Sequence, residues 1–262
     1  MAIQHAGPRP AQAVGVRLYV EYDLGAGAVV ELGESYAHYV RTVMRRKAGE
    51  PARLFNGRDG EWSARIMTLS RGRLTLAVRH LIRPQVAGPD LWLLFAPLKR
   101  TLNDDLTRKA TELGVSALRP VLTHRTVVRR VNTDRLTTIA FEAAEQCERI
   151  DVPDVAEPSS LDAALAAWPE GRRILLCDEA GGGAPIARVL TRLGTLAGRE
   201  PWAVLTGPEG GFTPSELDGL RNLPFVTPVG LGPRILRAET AAIAALACWQ
   251  SLIGDWAQGG FR

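Results

Sequence analysis

Val204-Leu-Thr-Gly-Pro-Glu-Gly-Gly-Phe-Thr-Pro-Ser-Glu-Leu217 and Gly230-Leu-Gly-Pro-Arg-Ile-Leu-Arg-Ala-Glu-Thr-Ala-Ala-Ile243 decide how this chain is read. Each is an apolar strand that breaks at a Gly-Pro turn and runs on into a helix. In α/β proteins ligands bind in the loops at the carboxyl ends of strands. Two such loops recur here a short distance apart. One has a bare Pro-Glu-Gly-Gly tip; the other carries Arg234, Arg237 and Glu239. The expected arrangement is a backbone-lined pocket beside a charged one.

The alternation extends back to residue 91. LWLLFAP, ALRPVLT, RILLCDE, WAVLTG and FVTPVGL are compact apolar runs suited to a sheet covered on both faces. Between them LNDDLTRKATELG, TDRLTTIAFEAAEQC, LDAALAAW, APIARVLTRL and PSELDGLRNL read as helices. A last helix over 237–253 places Ile243, Leu246, Ala247, Gln250 and Ile253 on one face. This predicts an α/β domain with a mostly parallel sheet over 91–262. Ahead of it the texture is short and β-like: RLYVEYD, ARLFNG, EWSARIMTL and RLTLAVRHLI, with turn signals at Gly57-Arg-Asp-Gly60 and Ser70-Arg-Gly72. One short helix fits between Tyr36 and Arg46, with Val40, Val43 and Met44 on one side. A small β-barrel is expected over 16–83. Residues 84–90, containing Pro84-Gln-Val-Ala-Gly-Pro89, read as a linker and 1–15 as a flexible leader lacking the apolar stretch of a signal peptide.

At 262 residues and 46% apolar composition the chain has enough apolar material for a core in each part. No apolar run reaches membrane-spanning length. Cys147, Cys177 and Cys248 are odd in number and widely spaced, with no CxxC or Cys/His ligand spacing. They predict buried, inert thiols, no disulfide framework, no metal site and a cytoplasmic protein. The net charge of +4 says less than its distribution. Arg41, Arg45, Arg46, Lys47, Arg53 and Arg58 face a single acid, Glu50, within 41–58. A second basic group comprises Arg119, His124, Arg125, Arg129, Arg130 and Arg135. Two such clusters lean towards a polyanionic partner.

Thr213 is a good N-cap, Pro214 suits the first helical position and Glu216 completes a capping box, so Gly210-Gly211 sits just ahead of a helix N-terminus. No Gly-Lys-Ser/Thr and no GxGxxG accompanies it, which leaves a phosphate cradle weakly supported. The second loop has stronger chemistry. An acid at Glu239 complements the helix dipole, but Arg234 and Arg237 face its positive end. Two guanidiniums there need a carboxylate, a phosphate or a developing oxyanion nearby.

These residues resemble the RsmE family of SPOUT-superfamily methyltransferases. The matching segments are LTGPEGGFTPSE, LGPRILRAETA, KATELGV (109–115) and AAEQCERIDVP (143–153). His38-Tyr-Val-Arg-Thr-Val-Met-Arg and the LFNGRDGEW turn are similar to the family's PUA-like RNA-binding barrel. The resemblance implies a C-terminal trefoil knot and a homodimer that binds S-adenosylmethionine. It also implies methylation of uracil N3 in 16S ribosomal RNA, within the 30S subunit. Leu205, Thr206, Gly207, Glu209, Gly210 and Gly211 would line the cofactor through backbone groups, and Leu231, Gly232, Ile235 and Leu236 would close around adenine and the methionine portion. Arg237 with Arg234 would meet the uracil or its phosphate, and Glu239 would act as base or orienter. Arg41, Arg45, Arg46, Arg58, Arg125 and Arg149 would contact RNA, with Glu145 and Gln146 supporting that side. Two departures stand out. Glu148 occupies a position where the family usually has Gly, and the Lys99 segment reads Lys99-Arg-Thr-Leu-Asn-Asp-Asp in place of alternating acids and bases, while Lys109 and Glu112 are retained. A non-catalytic RNA-binding module, a nucleotide-dependent enzyme and a sister SPOUT enzyme acting on transfer RNA are the competing readings.

Overall fold

The computed structural model describes residues 15–194 and 200–258, so the leader expected over 1–15 lies, apart from Gly15, outside the described residues. The chain divides into two compact units, Met1–Val86 and Ala87–Arg262.

In the first unit the elements are β1 (Val16–Tyr19), β2 (Val29–Leu32), α1 (Glu34–His38), β3 (Pro51–Phe55), β4 (Glu61–Leu69) and β5 (Leu74–Arg83). They form a five-stranded sheet in the order β1-β3-β4-β5-β2, with β1 parallel to β3 and the other pairs antiparallel. Irregular register along β4 and β5 bends the ribbon, as bulges do, and curls the sheet around its core. Val16, Leu18, Leu54, Ile66, Leu74 and Leu76 fill that core. Strand β2 escaped the sequence reading, although Val30 and Leu32 alternate inward as a half-buried strand requires.

The expected helix over 36–46 is corrected in detail. After α1 the chain widens into a π turn, Tyr39–Val43, in which Met44 N donates to Tyr39 O. The wider turn breaks the 3.6-residue period: Val40 stays fully buried while Val43 is 60% exposed. Deeper in the sheet, Glu61 has no exposed surface and receives Arg17 Nε at 2.6 Å and Arg83 Nε at 2.8 Å.

The second unit runs β6 (Leu91–Phe95), α2 (Arg100–Glu112), β7 (Ala117–Leu122), α3 (Thr133–Gln146), β8 (Asp154–Val155), β9 (Ser159–Ser160), α4 (Leu161–Ala166), β10 (Arg173–Cys177), β11 (Ala184–Pro185), α5 (Ile186–Leu193), β12 (Trp202–Thr206), α6 (Pro214–Arg221), β13 (Val226–Gly230) and α7 (Ala238–Leu252). The main sheet has the order β11-β13-β10-β12-β6-β7-β8, and every pair in it is parallel. Period-two alternation sends Leu91, Leu93, Leu175, Trp202 and Val204 to the face covered by α7, and Leu94, Ile174, Leu176, Ala203 and Leu205 to the face covered by α6. Helix α7 buries Ala242, Ala245, Leu246, Trp249 and Gln250, with Ile253 just beyond it. Ile243 and Ala247 are only half-buried, so the apolar face lies one step round from the expected one. Trp249 is the bulkiest of the fully enclosed side chains on this face.

Candidate functional site

Because the sheet is parallel, the loops after β10, β12 and β13 leave it at the same edge. β10 lies between β12 and β13, so its loop separates the two glycine loops. The sequence reading missed this third loop, Asp178-Glu-Ala-Gly-Gly-Gly183. An acid pair followed by three glycines at the end of a buried strand was the available signal.

The first cavity, of about 380 Å³, is walled by the β10 loop and by Leu231, Gly232, Arg234, Ile235 and Leu236 of the β13 loop. The second, of about 440 Å³, is walled by Arg125, Glu209, Gly210, Gly211, Phe212 and Arg221. Glu179 lines both. Asp178 is buried and clasped by Arg221, whose Nε and Nη2 reach Asp178 Oδ2 at 2.9 and 2.7 Å, fixing the root of the loop. Cys177, at the first cavity's floor, has its thiol pushed up to about 12 by burial and then by Glu179 and Cys248; it is inert. Cys147 and Cys248 are free but only half-buried, short of the full burial expected.

The Gly210-Gly211 tip is held from two sides. Arg125 Nη1 donates to Gly210 O at 2.9 Å and to Phe212 O at 3.2 Å, and Glu179 Oε1 accepts from Phe212 N at 2.7 Å. The capping box at Thr213 and Glu216 forms as expected. Glu216 also accepts from His124 N at 2.8 Å. Burial would raise the Glu216 carboxyl, but hydrogen bonds from Thr213 and His124 outweigh it and hold the group below its ordinary range.

The expected residues fall in different places. Leu231, Gly232, Ile235, Leu236 and Arg234 converge on the first cavity, and Ile235 is 91% exposed. Glu209, Gly210 and Gly211 line the second. Leu205 and Thr206 are buried within β12, and Gly207 lies close to the Phe212 ring; none of the three is on either wall. Arg237 is the N-cap of α7 and exposed, while Glu239 sits in its first turn with Oε2 buried and without a hydrogen-bond partner.

Much of the second basic group is engaged inside its own unit. Arg119 lies over Trp92 and pairs with Asp154, Arg135 clasps Asp104, and Arg125 holds the glycine tip. Arg129 and Arg130 remain exposed. Arg149 donates to Thr111 O and Val115 O and pairs with Asp151. In the other unit Arg41 and Arg45 are exposed, Arg46 pairs loosely with Glu50 and Arg58 with Asp23. Arg45 adopts φ +52 at the exit of the π turn, a conformation unusual for an L-residue. Among the described residues no His, Cys, Asp or Glu cluster could hold a metal ion, and no helix is long and apolar enough to cross a membrane.

Residues 87–250 match the family described as RNA methyltransferase domain, and 32–79 match the RNA methyltransferase PUA domain. Over 232 residues the chain is 32% identical to the ribosomal RNA small subunit methyltransferase E of Rickettsia conorii, covering 88% of this chain and 93% of that protein. The enzyme of that name from Bacillus subtilis is 29% identical over 80% of this chain and 84% of its own. Among solved structures, the ribosomal RNA small subunit methyltransferase E of Neisseria gonorrhoeae bound to S-adenosyl methionine superposes with a TM-score of 0.82 at 28% identity, covering 93% of this chain and 100% of that one. A putative methyltransferase of Legionella pneumophila, also with bound cofactor, gives a TM-score of 0.80 at 27% identity, with the same coverage of both chains.

Proposed function

Because the chain belongs to the ribosomal RNA small subunit methyltransferase E family, we propose that it transfers a methyl group from S-adenosylmethionine to N3 of a decoding-region uridine in 16S ribosomal RNA. The observation that carries this reading is the meeting of three glycine-bearing loops at one sheet edge, beside Arg234, Arg237 and Glu239. The first cavity suits the cofactor. Its volume is in the range of small-molecule sites. Gly232, at φ +106, has open space where a side chain would stand, so any larger residue would be strained and would project from the backbone that walls the cavity. Leu231, Gly232, Ile235 and Leu236 would hold the adenine and methionine portions, with the β12 loop (Leu205, Thr206, Gly207, Glu209, Gly210 and Gly211) closing beside them.

When bound, the cofactor supplies an electrophilic methyl group. The chain must supply the rest. Uracil N3 carries a proton at neutral pH and is nearly non-nucleophilic in that form, so a base must take it. The buried, unpartnered Oε2 of Glu239 is the acceptor we assign. Negative charge then spreads onto the carbonyls flanking N3, where Arg237 and Arg234 stabilise it. Arg41, Arg45, Arg46 and Arg58 hold RNA phosphates and shape, with Arg125 and Arg149 contributing through the loops they brace. On this reading the C-terminal unit is threaded as a trefoil knot and works as a cytoplasmic homodimer on the 30S subunit.

The test is radiolabelled methyl transfer to 30S subunits and to bulk transfer RNA from cells lacking the enzyme, followed by nucleoside mass spectrometry. N3-methyluridine confined to 16S RNA is the expected result. Label in transfer RNA moves the protein to a sister family, and no transfer to either sinks the reading. Arg237→Ala is expected to lose about 100-fold or more in rate with an unchanged melting temperature.

A further inference from the structure

Glu179 stands where the two cavities meet and contributes to the wall of each. Its Oε1 accepts the Phe212 N–H at 2.7 Å, which fixes one oxygen relative to the glycine tip. The tip is shaped around that oxygen: a Cβ on Gly211, at φ +67, would come within 2.6 Å of it. The neighbouring acid is already neutralised, since Asp178 is buried in its clasp with Arg221. No cation pairs with Glu179 among the described residues, and its side chain is exposed at the seam. It is therefore an anchored carboxylate with its charge still to offer.

We propose that Glu179 reads the positive charge of the methyl donor, making the site prefer a cationic sulfonium over the neutral thioether that remains after transfer. The inference rests on the first cavity being the cofactor site. The transferred group has to lie where the cofactor cavity opens to the incoming base, and on this proposal that opening is at Glu179, the residue shared by the walls of both cavities. A carboxylate within a few ångströms of a sulfonium, with bound ligand displacing water, has an attraction that the product lacks. Glu179 is in this sense a specificity-determining residue, and it favours release of product after each turnover.

Calorimetric titration of the full chain with S-adenosylmethionine and with S-adenosylhomocysteine tests this. Glu179→Gln keeps an oxygen for the Phe212 N–H and removes only the charge. It is expected to weaken binding of the cationic donor by about tenfold, the weight of one charge-assisted contact, while the thioether changes by roughly twofold or less. Glu179→Asp, which keeps the charge, is expected to retain the preference for the donor. Equal losses for both ligands in Glu179→Gln, or no loss for either, overturn the proposal. If the unsubstituted protein binds neither ligand, the cofactor reading of the cavity itself falls first.

Discussion

Glu61 keeps its charge with no exposed surface because two guanidiniums reach it from neighbouring strands. Burial alone would raise its carboxyl; hydrogen bonds and charge from Arg17, then Arg83, outweigh that and hold it below the ordinary range. The group therefore binds fewer protons folded than unfolded near pH 4. Its contribution is complete above about pH 4.3, the ordinary glutamate value, and is lost as pH falls through the lower folded value. Glu61→Gln is expected to destabilise the first unit by about 3 kcal/mol at neutral pH, because the buried Arg17 and the half-buried Arg83 both lose the charge they pair with. Urea unfolding at pH 7 and pH 3 should show the gap between variant and parent shrinking in acid. Legibility at this scale followed sign and spacing. Arg234, Arg237 and Glu239 stood out because guanidiniums at a helix N-terminus oppose the dipole. Glu179 did not, and Arg125 was read only as an RNA contact, since the roles the two have here come from contacts with Gly210 and Phe212, 33 to 87 residues away in the chain.

Elements were legible where a periodic pattern was long and its caps were local. The box at Thr213 and Glu216 could be read because everything it needs lies within four consecutive residues. The π turn at Tyr39–Val43 could not, since an extra backbone residue per turn leaves no mark in an apolar period. The two-residue strands β8, β9 and β11 carry too few side chains to show any alternation. The departure at Glu148 has a geometric meaning. Its φ of +62 lies in the left-handed region, where glycine is at ease and a glutamate is strained. Glu148→Gly is expected to gain about 0.5–1 kcal/mol, strain relief exceeding the added flexibility of the unfolded chain. A higher urea midpoint at unchanged slope would bear this out, and a lower one would show that the glutamate side chain contributes more than its backbone costs.

The change of texture near residue 84 was visible because two cores demand two patterns, antiparallel alternation in one unit and continuous apolar strands in the other. Each unit has its own task in the proposed activity, which gives a separable prediction. Reversing charge at Arg45 and Arg46 together is expected to weaken binding of 16S RNA about tenfold or more and to steepen loss with salt less than in the parent. Affinity for S-adenosylmethionine should stay unchanged by calorimetry; a matching loss there would place that basic segment in the cofactor site. Strand order was beyond the sequence, because nothing in WAVLTG says that β12 pairs with β6, 111 residues earlier at Trp202 and Leu91. That placement governs how the protein can be made. β12 is hydrogen-bonded between β6 and β10, both of which leave the ribosome before it. A nascent chain stopped short of Trp202 thus presents two bare strand edges facing a missing middle, a template for pairing with the wrong chain. Synthesis passes through this stage late, and the gap closes when one five-residue strand slides into it, leaving the other edge of β10 for β13 to cover.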